Sequence, residues 1–122
     1  MSEDAPKKPH AVGYLYDLFV SRFIDSIVTK RLGYTILAKT KAEEAILHIP
    51  EADLVISDVT DGGYDVYNAA RAYGKPIIMI NGGFLDFERT PEAVVILKPF
   101  KISELEAAVR KCAEGLKPNR EQ

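Results

Sequence analysis

Apolar residues along this chain fall into short runs separated by stretches with helical spacing, and the two kinds of segment alternate from end to end. Ala11 to Tyr16 is a short apolar run and predicts a first strand. Leu18, Phe19, Val20, Phe23, Ile24, Ile27 and Val28 then recur at helical spacing, with Gly33 as a left-handed cap. Tyr34 to Ala38 carries β-branched and aromatic residues and predicts strand two. Thr40 to Glu43 has the T-x-x-E form of a capping box, so a short helix is expected to run to Ile49, where Pro50 stops it.

The second half repeats the pattern. Leu54 to Val59 predicts strand three, and Thr60, Asp61, Gly62 and Gly63 read as a turn after it. Val66, Ala69, Ala70 and Tyr73 share one face of a helix from Asp65 to Tyr73, closed by Gly74. Pro76 to Ile80 is a continuous apolar run, the mark of a strand buried on both faces. Gly82, Gly83 and Pro91 break the periodicity between Asn81 and Glu92, which leaves room for a helix of about two turns. Ala93 to Leu97 predicts strand five. Ser103 to Glu106 repeats the capping-box form, and Leu105, Ala108, Val109 and Cys112 mark the buried face of a last helix that ends near Gly115.

Strands that alternate with helices, as near-continuous apolar runs rather than in-out alternation, imply an α/β three-layer sandwich with a parallel sheet covered on both faces. The chain has 122 residues, 47% of them hydrophobic, which suits one domain and one core. That domain is expected over residues 10–116, with tails rich in proline and charge at 1–9 and 117–122.

Sixteen basic and eighteen acidic residues give a formal charge of −2, so composition provides no general pull toward nucleic acid or an anionic membrane. No apolar run approaches the ~20 residues of a membrane span, and the polar start does not resemble a signal peptide; a cytoplasmic location is expected. The lone Cys112 excludes an internal disulfide and reads as a small buried hydrophobe. His10 and His48 lack metal-ligand spacing with it, which argues against zinc.

Ligands of such sheets bind outside the carboxyl ends of the strands, where connection order reverses. The residues to inspect there are Asp17, Asp58, Asn81 and Lys98. Together they would form a polar pocket able to hold a hard divalent cation and a phosphoryl group. Each also has a plainer reading. Asp17 suits a helix cap as well as a metal ligand, Asn81 before Gly82-Gly83 is a common turn residue, and Lys98 beside Pro99 suits a surface turn. A carboxylate between Ser57 and Val59 is poorly explained by turn chemistry. The Gly62-Gly63 and Gly82-Gly83 pairs fit neither a P-loop nor a G-x-G-x-x-G fingerprint and read as turns. Tyr14 and Tyr16 read as core and sheet-edge aromatics.

The run Asp53-Leu54-Val55-Ile56-Ser57-Asp58-Val59, then Pro76 to Ile80, then Leu97-Lys98-Pro99-Phe100 with Ser103 and Leu105, resembles the receiver domain of two-component response regulators. The resemblance spans residues 11 to 115. It implies a flavodoxin-like (CheY-like) fold with a five-stranded parallel sheet in order 2-1-3-4-5. It further implies Asp58 as phosphoryl acceptor, loaded by a histidine kinase or phosphotransfer protein, with Lys98 pairing with the phosphoryl oxygens across a cis Lys98-Pro99 bond. Mg²⁺ would be held by Asp17, Asp58 and the backbone carbonyl of Thr60. Asn81 falls where the family has Ser or Thr.

Several positions depart from the family pattern. Tyr16 stands where a second acid is usual, which weakens the Mg²⁺ site, and Asn81 lacks the usual hydroxyl although its amide can donate a hydrogen bond. Val95 occupies the place of a switch aromatic, the loop after Asp58 lacks its proline, and the fourth helix is shortened. The expected function is a stand-alone, atypical receiver that signals to a downstream protein by contact and is not an enzyme. Two alternatives stand beside it. One is a pseudo-receiver that acts by constitutive contact through the shortened fourth helix, strand five and the last helix; the other is a flavodoxin-like domain for a phosphate-bearing ligand, which lacks a phosphate loop. Pairing of two copies through the last helix is left open.

Overall fold

The structure is a computed structural model that describes residues 8–82 and 93–115. Five parallel strands lie in the order 2-1-3-4-5: β1 (His10–Tyr14), β2 (Thr35–Lys39), β3 (Leu54–Asp58), β4 (Ile77–Asn81) and β5 (Val94–Leu97). Helices α1 (Leu18–Ser26), α2 (Ala42–His48), α3 (Asp61–Ala72) and α4 (Ile102–Gly115) cover the two faces. This is the flavodoxin-like three-layer sandwich expected from the alternating pattern. The helix expected between Asn81 and Glu92 falls on residues 83–92, outside the described residues, as do residues 1–7 of the first tail, residue 116 and the second tail, 117–122. Pro9 lies within the expected first tail, and its carbonyl accepts from Thr35 N at 2.9 Å, so strand pairing begins just before β1.

The period of two along each strand divides the core into two clusters. Leu54 and Ile56 of β3 and Ile78 and Ile80 of β4 pack with Ile24, Ile27 and Val28 and with Leu105, Val109 and Cys112, on the side of α1 and α4. Val55, Ile77 and Met79 point the other way, onto Ala45, Val66, Tyr67 and Ala70 from α2 and α3. Because β3 and β4 are buried at every position, they read as apolar runs, broken only by Ser57, Asp58 and Asn81 at their carboxyl ends, rather than as alternation. Each buried Leu or Ile here contributes about 1.5–3 kcal/mol of transfer free energy. Cys112 is part of this core, and burial pushes its thiol up to about 11, as suits a packing residue.

Several element boundaries differ from the sequence pattern for identifiable reasons. Thr40 does not cap α2: the N-cap is Lys41, with no side-chain cap bond, and Pro50 sits inside a 3₁₀ turn (Ile49–Glu51) that continues the helix. In α4 the reciprocal bond comes two residues earlier than Ser103 and Glu106 suggest. Glu104 Oε1 accepts from Lys101 N at 2.7 Å, and Glu106 is left to pair with Arg31. Helix α1 passes into a π-helical turn (Ile27–Arg31) before Gly33, which takes the expected left-handed conformation at φ 78°.

The largest correction concerns α3, which begins four residues before the expected Asp65. Thr60 is its N-cap, with Oγ1 accepting from Gly63 N at 3.0 Å, so Asp61, Gly62 and Gly63 are helical rather than a free turn. The glycine at 63 has a steric cause. A Cβ there would lie 1.9 Å from the Asp58 carbonyl oxygen.

Candidate functional site

Parity along β3 sets the direction of the key side chain. Asp58 follows Leu54 and Ile56 on the face covered by α1 and α4, and so meets the segments that lead into those helices. It is 2% exposed. From the segment before α1, the Tyr16 backbone N–H donates to Asp58 Oδ2 at 3.1 Å. From the segment before α4, Lys98 Nζ lies 3.6 Å from Asp58 Oδ1, an ion pair without a hydrogen bond. Oδ1 is buried and has no hydrogen-bond partner. Burial pushes the Asp58 carboxyl above its ordinary range, against the opposing pull of the Lys98 charge and the Tyr16 N–H, while the negative charge of Asp17 adds to the rise.

The other expected residues are placed as follows. Lys98 leaves β5 in register, its N–H donating to the Asn81 carbonyl at 2.8 Å, and the Lys98-Pro99 bond is cis, as the resemblance implies. Asn81 ends β4 and is 3% exposed; it belongs to the strand rather than to a turn after it, one residue beyond Ile80, which stands beside Asp58 in the register. Asp17 is the N-cap of α1, its Oδ1 accepting from Phe19 N at 2.9 Å and Val20 N at 3.3 Å. The Thr60 carbonyl accepts from Tyr64 N at 3.0 Å within α3.

Tested against the octahedral oxygen shell that Mg²⁺ demands, this donor set does not fit. Asp17 Oδ1, Asp58 Oδ2 and the Thr60 carbonyl are all engaged by backbone N–H groups, and Asp58 Oδ1 faces an ammonium. Among the described residues, no three His, Cys, Asp or Glu side chains gather as a metal site.

Two features of the site lie outside the residues expected there. The Tyr16 N–H is a backbone donor, which no side-chain pattern reveals. Beside Lys98 lies an open groove of about 560 Å³ lined by Phe19, Val20, Phe23, Lys98, Pro99 and Phe100. The rings of Phe23 and Phe100 stand 5.7 Å apart at its edge. Phe19 and Leu18 are therefore not core residues, being 88% and 63% exposed, and Tyr16 is 56% exposed rather than packed in the sheet. The helical spacing holds the cue for the groove: Ile24, Ile27 and Val28 form a buried stripe with half-buried Val20 beside it, and Leu18, Phe19 and Phe23 fall off it.

Comparisons with known proteins place this geometry. Searched against family models and curated proteins, the chain matches none. Solved structures match over nearly the whole described domain. The chemotaxis protein CheY4 of Vibrio cholerae superposes with a TM-score of 0.75 at 17% identity, covering 87% of this chain and 99% of that one. A CheY-like response regulator receiver domain protein of Methanospirillum hungatei gives 0.75 at 18% identity, covering 89% and 96%. This is the receiver-domain fold. The receiver domain of the Francisella response regulator 1452 adds a third match, 0.74 at 20% identity over 90% and 100%. No helix among the described residues is long and apolar enough to cross a membrane.

Proposed function

We propose that this chain is an atypical receiver module in two-component signalling, which accepts a phosphoryl group on Asp58 from a histidine kinase or phosphotransfer protein and passes on its state by contact with a downstream protein. The single observation that carries this reading is Asp58 Oδ1: a buried carboxylate oxygen, without a hydrogen bond, at the carboxyl end of a central strand and facing Lys98. An oxygen with no hydrogen bond retains its lone pairs for attack.

In the transfer, Asp58 Oδ1 attacks the phosphorus of a phosphohistidine donor. The P–N bond breaks, and the imidazole nitrogen keeps the electron pair and takes a proton from solvent. The Lys98 ammonium stands where the transferred phosphoryl oxygens arrive and offsets their charge. Asn81, at the end of the neighbouring strand, is the side chain proposed to donate to a phosphoryl oxygen. Asp58 is consumed once per transfer, so the chain is a stoichiometric acceptor rather than an enzyme. The Mg²⁺ that the resemblance implies lacks a fitting donor set in this pocket, so charge neutralisation falls to the Lys98 ammonium. The proposed setting is cytoplasmic, where kinases and phosphotransfer proteins of this kind present their phosphohistidines.

The test is intact-mass measurement after incubation with acetyl phosphate. One phosphoryl group is expected on the wild-type chain and none on Asp58→Asn; equal labelling of the two would contradict the assignment. A second reading, constitutive protein contact without phosphorylation, is favoured by the engaged metal donors and by Tyr16. It predicts no adduct under any donor condition.

A further inference from the structure

We infer that the acceptor pocket takes no resident divalent cation, that the Lys98 ammonium is its standing positive charge, and that Tyr16 is the residue that closes the metal site. This concerns the pocket of the proposed function and can fail independently of it.

Four of the oxygens that could serve a cation already face a donor or a charge. Asp17 Oδ1 holds two amides at the start of α1, so turning its carboxylate toward a metal would remove the only side-chain cap of that helix. The Thr60 carbonyl receives the Tyr64 N–H, because α3 begins directly after it. Asp58 Oδ2 receives the Tyr16 N–H, and Oδ1 faces Lys98 at 3.6 Å. A dication placed at Oδ1 would stand against that ammonium, in a pocket where low local dielectric strengthens the repulsion. Mg²⁺ gives up water reluctantly and needs several oxygens of fixed geometry in return.

Position 16 is a place beside the acceptor where the sequence could have supplied another oxygen. Its backbone N–H touches the Asp58 carboxylate, so its Cα borders the pocket, yet its side chain is a tyrosine directed largely to solvent. A carboxylate at this position would bring a third acid beside Asp17 and Asp58. It would also add the charge needed to compete with Lys98.

The experiment is a titration of the full ¹⁵N-labelled chain with Mn²⁺, read as paramagnetic broadening of the amides around Tyr16, Asp17, Asp58 and Thr60, with Mg²⁺ calorimetry in parallel. The wild type is expected to show no saturable local broadening up to millimolar cation. Tyr16→Asp is expected to gain it, with affinity raised about tenfold or more by the added charged ligand. Tyr16→Glu serves as a second variant should the first lose its dispersed spectrum. Saturable submillimolar broadening in the wild type, removed by Asp17→Asn, would overturn the inference, as would two folded variants that gain nothing. The acetyl phosphate assay repeated with a chelator separates the two claims. A phosphoryl adduct that requires Mg²⁺ overturns this inference and leaves the acceptor role intact, whereas a wild type that binds no Mn²⁺ and forms no adduct supports the inference while removing the acceptor role.

Discussion

Asp58 and Glu106 each face a cation, yet burial pushes the Asp58 carboxyl up while the Arg31 guanidinium, bonded through its Nε, draws that of Glu106 down. Asp58 is enclosed at a strand end with a single ammonium 3.6 Å away, too far for a hydrogen bond. Glu106 sits on α4 between Arg31, to which it is hydrogen-bonded, and Arg110, 3.7 Å away in the i,i+4 relation. Desolvation outweighs attraction in the first pair, and a hydrogen-bonded surface contact outweighs desolvation in the second. An unsatisfied, destabilising charge is the mark of a site held for chemistry; a satisfied pair on the surface braces two elements.

The sharpest way to break this contrast is to move the backbone that carries Asp58. Gly63→Ala would place a methyl 1.9 Å from the Asp58 carbonyl oxygen, and neither backbone segment can yield without shifting the site. Chemical denaturation should show a loss of roughly 3 kcal/mol, at the upper end of overpacking costs. A wild-type midpoint would mean that α3 does not press on β3 as described.

A smaller effect comes from neutralising the buried charge. A raised folded-state pKa means that the contribution of Asp58 is fully present below its unfolded pKa and is lost as pH rises through the folded value. At neutral pH the ionised carboxylate therefore costs stability, and Asp58→Asn should stabilise the fold by on the order of 1 kcal/mol. That gain should vanish in acid. Glu106→Gln should do the reverse at neutral pH. Because the folded pKa of Glu106 is depressed, its contribution is present above the unfolded pKa and is lost as pH falls through the folded value. The variant should be slightly less stable than wild type at neutral pH and indistinguishable from it in acid, and the deficit should shrink with added salt. Denaturation midpoints of both variants across the acid range check the signs; two deviations of the same sign would dissolve the distinction.

Much of this fold was legible because β3 and β4 open on apolar runs, 54–56 and 77–80, and a parallel sheet buried on both faces leaves that trace. Strand order followed from the resemblance rather than from any pattern within the strands. Helix starts were less legible. The T-x-x-E at Thr40 gave way to a backbone that enters α2 at Lys41, and the Gly62-Gly63 pair, read as a turn, serves instead the close passage of α3 over Asp58. Asp58 and Lys98 stood out as polar residues where apolar strands end. The Tyr16 N–H had no signal, since every residue but proline carries one. The engagement of Asp17 and Thr60 likewise depends on where α1 and α3 begin, and boundaries are the least legible part of any helix.

The most direct measurement is the chemical mapping of the acceptor. An aspartyl phosphate is reduced by borohydride to homoserine, whereas a free carboxylate is not, so peptide sequencing by mass spectrometry after acetyl phosphate treatment and reduction reads the site itself. The account predicts homoserine at residue 58 and at no other aspartate. Homoserine at Asp17 or Asp61, or none in a chain that remains folded, would contradict it.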